Sequence, residues 1–133
     1  MTPEITFIGL LVVTVGFLLG AAITGRRKTP RPHLAFVACA VLSLAGAIAA
    51  ALRLGDLYDL EAAGWITPVH LTIARIATAA YLIPLTTGPL VWSGRMGASW
   101  HRRGAWLAIG LTLIATFTGA WMLLAAEPMP TPE

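Results

Sequence analysis

The chain has 133 residues, of which 57% are hydrophobic and 11% charged, whereas a soluble domain carries about a quarter charged residues. That composition excludes a water-soluble globule, and the length leaves room for one membrane domain with no separate catalytic domain. The formal charge of +3 does not point to nucleic acid, because the basic residues cluster in two short loops beside apolar runs rather than on a soluble face.

The apolar residues form four runs, each near the roughly 20 residues that cross a bilayer as a helix. The first helix is expected over about 4–25, with Thr2 as a cap, Pro3 in the first turn and Gly25 at its close before Arg26, Arg27 and Lys28. Glu4 precedes the apolar stretch and the basic cluster follows it, the reverse of a signal peptide, so this helix is expected to remain in the mature protein. The second runs over about 33–54, beginning after Pro30 and Pro32 with His33 in its first turn. A polar, acidic connection from Gly55 to Trp65 leads to the third, 67–92, where Thr67 and Pro68 form a cap and first-turn pair. Pro84 and Pro89 are expected to kink or break it. A glycine-containing loop, Ser93 to Ala98, precedes the fourth, 100–126, with His101 in its first turn. Residues 127–133 hold three prolines and are expected to be disordered.

The fold class is therefore all-α: a polytopic membrane domain over 1–126, four helices in an up-down-up-down bundle. Seven of the nine basic residues lie in or just after the first and third loops, and all six acids lie on the other side. Lysine and arginine are retained in the cytoplasm, so both termini are expected outside. Trp65, Trp92, Trp100, Trp121 and Tyr58 fall near the interfaces, as an aromatic belt requires. Cys39, the single cysteine, excludes an internal disulfide and a multi-thiolate zinc site.

In such a bundle helices 2 and 4 are diagonal partners, and both begin with a histidine at the same depth. Diagonal helix axes separated by roughly 12 to 14 Å leave room for two imidazoles to ligate one flat macrocycle between them, so His33 and His101 are candidate ligands of a single haem b. Below His101 the face reads Gly104, Ala105, Ala108, Thr112, Ala115 and Gly119, a stripe without bulky side chains that would leave space beside the helix. Below His33 lie Phe36, Val37, Ala40, Leu44 and Ala47. Arg31, Arg95, Arg102 and Arg103 sit at the same level and would meet the propionates. A plainer account explains each part separately: interfacial histidines, small residues for close helix packing, arginines for orientation.

His70 lies in the first turn of helix 3, on the outer side, and its diagonal partner, helix 1, offers no histidine or methionine at that level, so a second bis-histidine haem is not expected. Arg75 lies roughly 10 Å into the membrane, past Pro68. It either snorkels outward toward Asp56, Asp59 or Glu61 or helps bind a quinone, a lipid headgroup or a partner subunit. Gly16 and Gly20 give a GxxxG spacing that permits close helix approach. No Ser-His-acid arrangement, phosphate loop or paired intramembrane carboxylate is present, which counts against a hydrolase, an ATPase and a carboxylate-based proton pump and points away from an enzyme.

The proline and basic loop before His33, the "PVHLTIA" around His70, and the "WHRRGAW" and "TFTGAWMLL" of the last helix together resemble a family of bacterial four-helix membrane proteins. That family has no assigned function and is associated with haem-copper oxidase assembly. The likeness spans about 31–124, and the same motifs are more loosely similar to cytochrome b561-type bundles. The chain departs from the family at Ala49, Ala50, Ala51 and Leu52, where relatives tend to carry another histidine, and at Leu113, Ile114 and Ala115, where an aromatic cluster is usual. The resemblance implies a multi-pass protein of the bacterial inner membrane, acting as a haem-b electron-transfer protein or in assembly of a terminal oxidase. The alternative is a cofactor-free accessory subunit that docks to other subunits of a respiratory complex.

Overall fold

A computed structural model describes residues 2–27 and 29–129; Lys28 of the first basic loop and positions 130–133 of the proline-rich tail lie outside the described residues. The elements in chain order are α1 (Pro3–Arg26), α2 (Pro30–Gly55), β1 (Tyr58–Asp59), α3 (Ile66–Ala80), α4 (Leu82–Trp92), α5 (Ala98–Ala125) and β2 (Glu127–Pro128). Among the described residues four helical spans are long and apolar enough to cross a membrane: α1, α2, α3 continued by α4, and α5. This is an all-α protein of the four-helix class with the build of a multi-pass membrane protein. Helices suit that setting because they satisfy every interior backbone N–H and C=O within one segment. Large apolar side chains such as Leu124 (88% exposed) and Leu42 (72%) point away from the protein, which is stable in hydrocarbon and costly in water.

The chain divides into two compact units, one built on α1 and α2 and the other on α3, α4 and α5. In the first unit α1 and α2 run antiparallel. Thr14 meets Ser43 with the hydroxyls 2.9 Å apart, and the ring of Phe36 lies against the Cα of Gly20 and beside Phe17. Helix α2 begins at Pro30, three residues earlier than the sequence suggested. First-turn N–H groups have no helical partner, so Pro30 and Pro32 cost nothing there and the helix includes them. Pro128 and Met129 also belong to this unit. Met129 N–H donates to the Leu57 carbonyl at 2.9 Å, so the expected disorder does not extend to the first residues of the tail.

In the second unit α5 runs antiparallel to α3 and α4. The third span breaks at Tyr81, between α3 and α4. Pro84 has no N–H to offer the Ala80 carbonyl, and its ring crowds that turn, so the chain tightens there through Tyr81 N–H to Thr78 O at 3.3 Å. Pro89, by contrast, is carried inside α4. Thr67 is not a cap: α3 starts at Ile66, and the Thr67 hydroxyl instead donates to the Leu60 carbonyl, tying the preceding loop to the helix. At the other end Gly94, at φ +71°, closes α4 in a Schellman arrangement. Its N–H bonds Val91 O at 3.1 Å, and Arg95 N–H bonds Leu90 O at 2.9 Å.

Candidate functional site: three histidines held across helix pairs

Each histidine sits near the start of its helix and reaches back to the end of the helix packed against it. His33, on α2, places Nδ1 2.8 Å from the Ala21 carbonyl of α1. His101, on α5, places Nδ1 3.2 Å from the Thr87 hydroxyl of α4, and His70, on α3, places Nδ1 3.1 Å from the Thr118 hydroxyl of α5. A glycine underlies every ring. A Cβ at Gly25 would stand 3.2 Å from His33 Cε1, one at Gly119 would stand 2.8 Å from His70 Cε1, and one at Gly88 would stand 3.5 Å from His101 Cε1. The glycines at the first two positions are required for the ring to lie this close to the opposing backbone.

The hydrogen bonds fix where the proton sits on a neutral ring. A carbonyl only accepts, so His33 donates from Nδ1 to Ala21 and the ring's lone pair is on Nε2. Thr87 gives its own hydroxyl proton to Ile83 O at 2.6 Å, so toward His101 it acts as acceptor and Nδ1 again donates. Thr118 likewise commits its proton to Ile114 O at 2.9 Å and accepts from His70 Nδ1. When neutral, each ring is favoured by this bond in the form whose Nε2 carries the lone pair. This is also the arrangement in which a metal-bound histidine is usually oriented by its second nitrogen.

Comparison with protein-family models, curated proteins and solved structures returns no match to this chain.

The structure places His33 in the first unit and His101 and His70 in the second. It corrects one expectation about their surroundings. The stripe Gly104, Ala108, Thr112 and Gly119 is not open space beside α5, because α3 and α4 of the same unit fill it. Ile83 lies against Gly104, the Tyr81 hydroxyl reaches Thr112 Oγ1 at 2.8 Å, and His70 lies against Gly119. Ala108 is 1% exposed. The face below His33 is filled in the same way, with Ala40 and Ala47 buried against α1. Small residues here let two antiparallel helices approach closely, which is how helices associate where the surrounding lipid is as apolar as they are.

Arg31, Arg95, Arg102 and Arg103 are exposed, and the Arg103 guanidinium lies 5.7 Å from the centre of the Trp100 ring. Arg75 is exposed on α3, nine residues past its first residue and so about 14 Å along the axis. Beyond the spans, the Tyr58 hydroxyl donates to the Glu4 carboxylate at 2.9 Å, and that hydrogen bond raises the phenol above its usual value. Sequence reasoning missed Thr14, Ser43, Tyr81, Thr87 and Thr118 as parts of polar pairs. The available signal was a hydroxyl inside an apolar run, which in lipid has only its own backbone or a facing helix to bond.

Proposed function

We propose that the chain is a small haem-b protein of a respiratory membrane, serving electron transfer or the assembly of a haem-containing terminal oxidase, with His33 and His101 as its imidazole ligands. The observation that carries this reading is the shared tautomer. In both rings the Nδ1–H is engaged by the facing helix of the same unit, which leaves the lone pair on Nε2. Imidazole nitrogen is a common ligand of haem iron, and a bound haem b would supply a one-electron couple. Arg31, Arg95, Arg102 and Arg103 would pair with the propionates. The charge asymmetry supports a topology with the two basic loops cytoplasmic and both termini outside, in a bacterial inner membrane.

The test is the absorption spectrum of protein purified from haem-replete membranes. A low-spin Soret band is expected, lost or strongly altered in His33→Ala and His101→Ala and retained in His70→Ala. Folded protein without that band, or a band indifferent to both substitutions, overturns the reading.

A second reading has its own supporting observation: the small-residue stripes are filled and every histidine already serves to join two helices. On that account the chain is a cofactor-free accessory subunit. Arg75, exposed within a span, would then be its contact with a partner subunit, with a lipid headgroup or quinone as the other anionic or polar candidates. Folded, haem-free protein that co-purifies with a respiratory complex, and loses it in Arg75→Leu but not Arg53→Leu, is the outcome this account requires.

A further inference from the structure

The two proposed ligands are oriented by different chemistry. For His33 the acceptor is a main-chain carbonyl, Ala21 O at 2.8 Å, which no side-chain substitution removes. For His101 it is a hydroxyl at 3.2 Å, and that hydroxyl accepts only because its own proton is held by Ile83 O at 2.6 Å. Donating that proton also polarises the oxygen and makes it a better acceptor. Gly88, the next residue of α4, leaves His101 Cε1 3.5 Å from where a Cβ would be, so the ring settles beside Thr87 without obstruction.

We propose that Thr87 is a positioning residue for His101: it holds the ring in the Nδ1–H form and sets the electron-donating strength of Nε2, a control that the first unit builds into its backbone. The consequence for a bound haem rests on the reading above, whereas the control of the tautomer does not. A ligand imidazole whose Nδ1–H is hydrogen-bonded donates more strongly to iron and favours the oxidised state. Thr87 would therefore lower the reduction potential, and its removal would raise it.

The experiment is nitrogen-15 NMR of the histidine rings of the full chain in detergent micelles, with the His101 signals identified from their absence in His101→Gln. The wild type is expected to show His101 protonated on Nδ1 at a pH where the ring is neutral. Thr87→Val, similar in shape but without an acceptor, should move the tautomer ratio toward Nε2–H by about five-fold, the equivalent of one ordinary hydrogen bond. Thr87→Ser should restore the wild-type ratio. Thr86→Val, which removes a hydroxyl bonded only to its own helix, should leave it unchanged. In haem-loaded protein the midpoint potential should rise in Thr87→Val and stay near wild type in the other two. A wild-type ring protonated on Nε2, an unchanged ratio in Thr87→Val, or an equal change in Thr86→Val overturns the proposal. Should Thr87→Val fail to fold, Thr87→Ala, which also lacks the acceptor, supplies the same comparison and is read by the same criteria. A confirmed tautomer in protein that takes up no haem removes the haem reading and leaves Thr87's control of His101 standing.

Discussion

The two units solve one packing problem with different materials. In the first, α1 and α2 are unbroken over 24 and 26 residues, and the close approach is made by Gly20 against the ring of Phe36. In the second, Pro84 interrupts the span at Tyr81, and the approach is made by Gly104 against Ile83, one residue before that proline. An aromatic ring on a straight helix can turn aside. A β-branched side chain next to a proline-broken turn has one preferred rotamer and little freedom to move. The same sequence device, glycine facing a bulky side chain, is thus forgiving in one unit and rigid in the other.

Adding a methyl group at each glycine is the strongest way to break this comparison. Gly104→Ala is expected to cost about 2 kcal/mol and Gly20→Ala about 1 kcal/mol, both from overpacking. Gly16→Ala should have almost no effect, since nothing lies within 4 Å of the position its Cβ would take. Denaturant titration in mixed micelles gives these values. If Gly16→Ala proves as costly as Gly20→Ala, the GxxxG face of α1 has a partner outside this unit.

A gentler test compares the hydroxyl pairs. Tyr81 donates to Thr112, whose own proton is on Ala108 O at 2.8 Å, while Thr14 pairs with Ser43 after bonding Leu10 O at 2.7 Å. Both pairs are buried, and every partner left behind keeps a bond to its own helix. Tyr81→Phe and Thr14→Val are therefore each expected to cost about 0.6 kcal/mol, the usual worth of an interhelical hydrogen bond in a membrane protein. A loss several times larger at Tyr81 alone would mean that the broken turn depends on that hydroxyl.

The smallest effect is expected at the exposed end of the first unit. The Glu4 carboxylate raises the Tyr58 phenol, so this contact stabilises the fold below the phenol's ordinary value of about 10 and is lost as pH rises through the raised one. The melting temperatures of wild type and Tyr58→Phe should differ slightly at pH 8 and draw together as pH rises through the raised phenol value. A difference that stays constant or grows as pH rises above about 10 would show that the contact is not the source.

Much of this architecture was legible in the residues themselves. Four apolar runs fix four spans because a backbone in hydrocarbon must satisfy its own hydrogen bonds, and composition alone decides which segments can enter. The break in the third span followed from Pro84, a local steric fact, and a loop after Trp92 followed from its glycines, although α5 already begins at Ala98. Histidines at the starts of the second and fourth spans were equally visible, and so was the crowding of small residues below His101.

What those small residues face could not be read locally. A glycine stripe has the same sequence whether it borders a cofactor or another helix, and only the antiparallel path of α3 and α4 along α5 brings Ile83, Tyr81 and His70 onto it. The ring tautomers have the same origin. A histidine does not encode which nitrogen holds its proton; the acceptor opposite Nδ1 decides, and that acceptor is 12 residues away for His33, 14 for His101 and 48 for His70. Sequence by itself determined where the chain enters the membrane, because transfer into lipid is a property of each segment. Tertiary structure decided what each polar group does there, because a hydrogen bond needs its second atom and packing supplies it.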